Sequence, residues 1–453
     1  MKQIIQLSLL WMLLSSLNAR GQEAMTLRSC MEYAVEKSTQ VEIQKADNSD
    51  ARIQRRDAIL STFVPSVTAG THAYSNFGRT VDPETNTYIS TTSFANGYSV
   101  NASLTLFNGF TALNNIRISK TAVKMGISRE QQLRDELCLA VMESFYNVLF
   151  HARMITALES QVASVRTNLR LVEKQYEQGQ KSYPDVAQIE ADLADREYQL
   201  LQTRNQHDDA LFTLKSVMLW PVEEELRLDD SIVDESFRTS EIPLPEQHQS
   251  ASDVVDYAQV NLPAVQIARG KLRNARLELQ TAKLQFLPTL SLNGGWSTSY
   301  YTYPGRASYH PTPFGQQWRN NGGEYVQVSM TIPIFTHLSL FSNLSRKKNG
   351  YKRAEAEYRQ TMHDVETEVH RAIHECEGSY MAMVQAQKRS VVQQEAFRLN
   401  ERKYQQGILS PIDYQTVSDA YLKAQAEELN SMLQYRLKSS VVKYYQGISY
   451  LEQ

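Results

Sequence analysis

Long apolar runs are missing from most of this sequence. Beyond the N-terminal segment no stretch of about 18 apolar residues occurs, so a membrane crossing, if there is one, must be made by strands. Cysteine is scarce: Cys30, Cys138 and Cys376 are odd in number, scattered, and all within helical patterns. They do not read as a disulfide framework, and buried small apolar residues are the expectation. Glycine and proline are few, 18 and 13 among 453 residues, which leaves room for very long helices. Neither sign of charge dominates: 47 basic residues face 50 acidic ones, for a net charge of −3. That excludes the basic stripe of a nucleic-acid binder. No nucleophile elbow, P-loop or metal motif is present, so neither an enzyme nor a cofactor is expected.

Tyrosine, by contrast, is abundant at 24 residues, as at interfaces wet at one end. The first 21 residues read as a secretory signal, with Lys2, an apolar core from Ile4 to Leu17, and a small-x-small site at Ala19-Arg20-Gly21. An uncleaved anchor or a buried helix is the other reading. The mature start is expected near Gln22.

One turn is written twice, as Tyr176-Glu177-Gln178-Gly179-Gln180-Lys181-Ser182-Tyr183-Pro184-Asp185 and as Tyr404-Gln405-Gln406-Gly407-Ile408-Leu409-Ser410-Pro411-Ile412-Asp413. Tyr, Gln, Gly, Ser and Asp recur at one offset of 228. Gly179 and Gly407 each follow a long helical pattern as left-handed stops, and Ser with Pro and Asp opens the next helix. Each copy is the tip of a helical hairpin, and the recurrence predicts an internally duplicated chain. The expected divisions are 22–220 for the first repeat, 221–250 for an acidic, Pro-containing connector, and 251–453 for the second repeat.

Within each repeat the period changes from helical to two and back. Residues 25–62 read as a helix in two pieces, capped at Thr26 with Leu27, Cys30, Ala34 and Val35 on one face, and ended by Phe63-Val64-Pro65. Strands are expected at about 66–74 and 97–107, separated by a polar surface loop over 74–96. In the second, Tyr98, Val100, Ala102, Leu104 and Leu106 share a face opposite Ser99, Asn101, Ser103 and Thr105. A helix of about 65 residues, near 100 Å long, runs from Thr111 to Tyr176. Its later half carries the seam Ile155, Leu158, Val162, Val165, Leu169, Val172, Tyr176, spaced for coiled-coil packing. The return helix from Pro184 turns Val186, Ile189, Leu193, Leu200, Leu211, Leu214 and Val217 inward. The second repeat follows suit: a helix ended by Phe286-Leu287-Pro288, strands at about 289–300 and 325–335 around a loop over 301–323, then helices over 338–404 and 411–447.

All four strands set an apolar face against a face of Ser, Thr, Asn and Gly, as in a transmembrane barrel around water. A soluble sheet with one wet face alternates likewise. In a membrane, four strands could neither enclose a lumen nor leave edges open, so copies would share one barrel.

These features together resemble the TolC-type outer-membrane efflux family over nearly all the mature length. The signs are the repeat, the Phe-x-Pro entries to the first and third strands, Leu106-Phe107-Asn108-Gly109, Pro333-Ile334-Phe335, and the paired Tyr-x-x-Gly-x-x-Ser tips ending in Asp. The resemblance implies a mixed α and β membrane protein. Four transmembrane strands per chain join a 12-stranded trimeric barrel, and antiparallel coiled-coil hairpins extend into the periplasm. It implies a passive channel-tunnel in the outer membrane of a Gram-negative bacterium. Its implied partners are two sister copies, outer-membrane lipid, a periplasmic adaptor and an inner-membrane pump. The gate would be formed by Asp185, Tyr404 and Asp413, with Thr416 where the family has a second ring Asp and Leu409 where it has an Arg. The adaptor would dock on Tyr176, Gly179, Ser182, Gly407 and Ser410.

Other readings stay open beside these. Asp185 and Asp413 also suit plain helix-start carboxylates. A periplasmic coiled-coil scaffold or adaptor without a channel is the alternative function. His363, Glu366, His370, His374 and Glu377 share a helix face with Cys376 beside it, and read either as a solvated face or as weak metal ligands. Tyr300, Tyr301, Tyr303, Tyr309, Phe314, Trp318 and Tyr325 suggest an interfacial girdle or a packed loop.

Overall fold

The computed structural model describes residues 24–81, 86–231, 250–304, 310 and 312–453. The expected signal segment, most of the connector and Tyr309 lie outside the described residues. The chain is mostly helical and forms two compact units, neither of which is one half of the sequence. The first comprises Met1–Lys45, Arg129–Gln266 and Thr361–Gln453; the second comprises Ala46–Ser128 and Ile267–Gln360.

The helices of the N-terminal segment are α1 (Leu27–Lys37) and α2 (Thr39–Phe63). Thr26 caps α1, its hydroxyl accepting from the Ser29 N–H at 3.2 Å, and Cys30 and Ala34 are buried below it. Ser38 is extended and parts the two helices. Strand β1 (Ser66–Val81), strand β2 (Tyr88–Asn108), helix α3 (Thr111–Glu177) and helix α4 (Tyr183–Met218) complete the first half. Helices α5 (Ala251–Asn261) and α6 (Pro263–Leu284), strand β3 (Thr289–Thr302), helix α7 (Phe314–Asn320), strand β4 (Gly323–Thr331), and helices α8 (Ser339–Gln405) and α9 (Pro411–Tyr445) follow.

In the first unit the core gathers Cys30 and Met31 of α1, Cys138, Met142 and Phe145 of α3, Leu214 and Met218 of α4, and Leu433 of α9. Each such side chain contributes about 2–3 kcal/mol by leaving water. All three cysteines are free and buried, and burial pushes the Cys30 and Cys138 thiols up to about 12. The heptad seam is real: Val165 and Val172 of α3 pack on Val186 and Ile189 of α4, with Leu169 and Leu193 at their flanks. The left-handed residue Leu219 ends α4, and Gly447 ends the helical segment after α9. They stand at the same offset of 228 as the tips.

The second unit carries the sheet, ordered β1-β2-β3-β4 and antiparallel throughout. Most of the surface loop expected over 74–96 is strand instead, at 74–81 and 88–96, while residues 82–85 lie outside the described residues. Ser, Thr and Asn serve there as strand residues, and β1 pairs with β2 from Ser66↔Ser103 out to Val81↔Tyr88. A second correction concerns Leu106. A β-bulge between Thr105 and Phe107 shifts the register, so Phe107 rather than Leu106 stands opposite Leu290. The aliphatic face is then built from rows such as Leu104–Leu292–Val328 and Phe107–Leu290–Met330.

Strand β4 begins opposite Ser297, so the far end of β3, paired with β2 on one side, has no strand on the other among the described residues. The loop expected over 301–323 folds part of itself, α7, against that exposed backbone. Gln317, buried, accepts from the Tyr301 N–H at 3.0 Å and donates to the Tyr301 carbonyl at 2.9 Å. Asn321 donates to the Ser299 carbonyl at 2.7 Å. Two side-chain amides thus replace the missing strand.

Candidate functional site

Two places concentrate the residues that the sequence singled out, the hairpin tips in the first unit and the sheet in the second. At the first tip Gly179 has φ +72° and at the second Gly407 has φ +73°, and an added Cβ would meet nothing within 4 Å at either. Conformation, not space, calls for glycine there. The bonding is the same twice. Gly179 N–H donates to the Tyr176 carbonyl and Gln180 N–H to Gln175; Gly407 N–H donates to Tyr404 and Ile408 N–H to Lys403.

The Asp185 carboxylate accepts from both the Ser182 N–H, at 3.0 Å, and the Ser182 hydroxyl, at 2.7 Å. The backbone bond, then the hydroxyl, and then Lys181 hold the Asp185 carboxyl below the usual carboxylate range. Asp413 accepts from the Ser410 hydroxyl at 2.7 Å, while its N–H donates back to that hydroxyl at 3.1 Å. Both aspartates therefore cap their own helices, and within one chain their short bonds go to serine. The Thr416 hydroxyl donates to the Ile412 carbonyl at 3.0 Å, one turn back. Leu409 is part-buried beside the turn.

Tyr404 is half-buried and stacks on Tyr414 of α9, with ring centroids 4.5 Å apart and planes 13° from parallel. Phe397 contacts both Tyr414 and Tyr421, so the second hairpin is laced by an aromatic column. Burial first, and then the neighbouring hydroxyl of Tyr414 and the carboxylates Asp192 and Asp185, raise the Tyr404 phenol. A crevice of about 10 Å³ between the two hairpins is bounded by Asp192, Ile189, Tyr404 and Tyr414. That is no more than one water's worth of space, so the hairpins are closely packed. Tyr176 faces Tyr183 across the first tip at 6.3 Å, and Tyr183, Ile408 and Ile412 are exposed.

Sequence reasoning missed Arg196. It is buried at 2% exposure on α4, bonded to Asp192 at 3.2 Å and to Asp419 of α9. A signal existed: Val186, Ile189, Leu193 and Leu200 alternate in steps of three and four, and Arg196 fills the one vacant step of that seam. His363, His370 and His374 lie on the exposed side of α8, and no group of three or more potential metal ligands gathers among the described residues. Cys376 is not beside that face. It is buried with Ala372 and Val442 on the other side, because its place in the helical turn opposes theirs.

On the sheet the polar face is cross-linked by side chains. The Ser103 hydroxyl donates to Asn293 Oδ1 at 2.8 Å, and the Tyr325 hydroxyl to Asn101 Oδ1 at 3.1 Å. Tyr325 therefore leaves the expected aromatic group, of which Tyr300, Phe314 and Trp318 do assemble, joined by Tyr98 and Trp296. On the other face of β4, Val326, Val328 and Met330 are exposed by 82%, 62% and 64%. Among the described residues neither β1 nor β4 has a second strand neighbour.

The sequence pattern of the outer membrane efflux protein family matches residues 40–218 and 254–442. The chain belongs to that family. No curated protein matches it in sequence. Among solved structures it is similar to CusC, with a TM-score of 0.76 at 16% identity over 93% of this chain and 92% of that one. It is likewise similar to the outer membrane protein VceC of Vibrio cholerae, with a TM-score of 0.72 at 14% identity, covering 93% and 96%. The Campylobacter jejuni CmeC outer membrane channel gives 0.74 at 16% identity, covering 94% and 85%. At such identities the likeness is one of fold, and this outer-membrane efflux protein shares with them its long helices and its four-stranded sheet.

Proposed function

We propose that this outer membrane efflux protein is one subunit of a homotrimeric, passive channel-tunnel. Its four strands are a third of a 12-stranded barrel in the outer membrane of a Gram-negative bacterium, and its helical hairpins reach into the periplasm. A periplasmic adaptor links it there to an inner-membrane pump that supplies the energy. The observation that carries this reading is the sheet. Among the described residues both edges are unpaired, while Val326, Val328 and Met330 present an uncovered aliphatic row. In lipid, backbone groups on an open edge would lose their hydrogen bonds, at several kcal/mol each, and pairing β1 of one copy with β4 of the next restores them.

The same reading gives roles to the tips. Asp185, Tyr404, Asp413 and Thr416 border the periplasmic aperture, and Tyr176, Gly179, Ser182, Gly407 and Ser410 meet the adaptor, for which the exposed Tyr183, Ile408 and Ile412 offer apolar contacts. Internal duplication, with repeats over 22–220 and 251–453, is supported by the offset of 228, which also relates the left-handed pair Gly109-Phe110 to His337-Leu338. The test is direct. Mature protein extracted in detergent should have the mass of three chains and should insert into planar bilayers as a steady conducting pore. A stable, detergent-free monomer would remove the reading.

A further inference from the structure

Between the first turns of α3 and the last turns of α6 lies a groove of about 340 Å³. Phe110, Leu113 and Leu284 make its apolar wall, and Arg117, Gln280 and Lys283 its polar rim. Its floor is held by Asn114, whose buried amide donates to the Thr281 hydroxyl at 3.0 Å and ties the two helices together. Gly109, at φ +63°, lets the chain pass against the Leu284 carbonyl, which a Cβ there would strike. The groove is therefore shaped by fixed contacts within its own unit.

Its charges are unbalanced. Residues 111–128 contain Arg117, Lys120 and Lys124 and no acidic residue. The only carboxylate of α6, Glu278, is taken by Lys347 at 2.7 Å. Among the described residues Arg117 has only the Asn114 side-chain oxygen, at 3.5 Å, and neither Arg117 nor Lys283 has a carboxylate partner. Both cations are exposed, and so are Phe110 and Leu113. The groove also borders the sheet: β2 ends at Asn108 just before α3, and β3 starts at Thr289 just after α6.

We propose that this groove binds one anionic phospholipid, its phosphate held by Arg117 and Lys283 and its first acyl carbons laid on Phe110, Leu113 and Leu284. Two uncompensated cations call for an anion, and the adjoining apolar wall calls for a chain attached to it; a phospholipid supplies both in that order. Exposed aromatic and aliphatic residues at the end of a membrane strand, with cations one to two turns further on, match the sequence of layers from hydrocarbon to headgroup. The inference rests on the reading that the sheet sits in lipid.

The experiment uses the full mature protein, purified in detergent and offered phosphatidylglycerol or phosphatidylcholine, with bound lipids counted by native mass spectrometry. Wild type should retain about one phosphatidylglycerol per chain and about ten-fold less phosphatidylcholine. The double variant Arg117→Gln, Lys283→Gln should lose about ten-fold of the phosphatidylglycerol. Phe110→Ala should weaken retention of both lipids. Equal retention of the two lipids by wild type, or a double variant that binds as wild type does, overturns the proposal. So does displacement of phosphatidylglycerol by inorganic phosphate alone with no effect of Phe110→Ala, which would make the groove a plain anion site. A double variant that changes the number of chains per particle but not the lipid count would assign the groove to a neighbouring copy, and also overturns it. Flotation of wild type with neutral phosphatidylcholine vesicles is read separately. Protein that floats yet shows no phosphatidylglycerol preference defeats this inference alone, and protein that never floats defeats the membrane reading beneath it.

Discussion

The guanidinium of Arg196 on α4 joins the carboxylate of Asp419 on α9, while Asp192, one turn away on its own helix, holds its Nε at 3.2 Å. Arg196 is almost wholly enclosed and Asp419 is about half exposed, so the pair is asymmetric. Arg196→Ala should destabilise the protein by about 3 kcal/mol, because Asp192 is left part-buried without its cation. Asp419→Asn should cost less than about 1 kcal/mol, since water screens that end. Replacing Arg196 and Asp192 together by leucine should restore most of the loss. Denaturant midpoints of the detergent-solubilised protein measure all three, and equal losses for Arg196→Ala and Asp419→Asn would refute the asymmetry.

Leu219 holds a left-handed conformation, φ +56°, at the position that Gly447 occupies after the second return helix. A branched side chain there carries a penalty of about 1–2 kcal/mol, partly offset by the extra freedom glycine gives the unfolded chain. Leu219→Gly is expected to stabilise by about 0.5–1 kcal/mol. Gly447→Ala should destabilise by more than that, because its Cβ would run into the Tyr257 hydroxyl. Thermal midpoints of the two single variants should therefore move in opposite directions.

Asp185 gives the first tip a pH dependence with a definite sign. Its carboxyl is held below the ordinary range by the Ser182 bonds, so its cap contributes fully above the unfolded pKa and is lost as pH falls through the folded value, below about pH 4. Amide hydrogen exchange at residues 182–186 should quicken over that window, relative to intrinsic rates. In Asp185→Asn the step should be absent, and its persistence would point to another group.

Asp413 is the residue through which the aperture reading can fail. Copies of its carboxylate around a three-fold axis would favour cations. Asp413→Ala should lower the cation-to-anion permeability ratio by about two-fold, read as a reversal potential across a salt gradient in a planar bilayer. An unchanged potential would leave Asp413 as a helix cap alone.

The legibility of this fold follows the range of the forces behind it. The heptad seam of α3, the Schellman glycines and the Ser-to-Asp caps depend on residues within a turn or two of each other, so they could be read directly. Residues 74–81 and 88–96 misled because polar strand residues look like loop when their partner strand is out of view. Leu106 misled because a bulge belongs to a pair of strands, not to one. The left-handed His337-Leu338 turn has no glycine to announce it. Arg196 was legible only as a gap in a pattern.

The sequence alone thus determined the long helices, the two tips and the family likeness, because helix periodicity, turn conformation and cap chemistry are local. Only the tertiary structure decided that Asp185 and Asp413 direct their short bonds to serine, that Arg196 lies between two hairpins, and that β1 and β4 end the sheet unpaired among the described residues. Those outcomes turn on which distant residues meet, and desolvation and pairing act only once they have met.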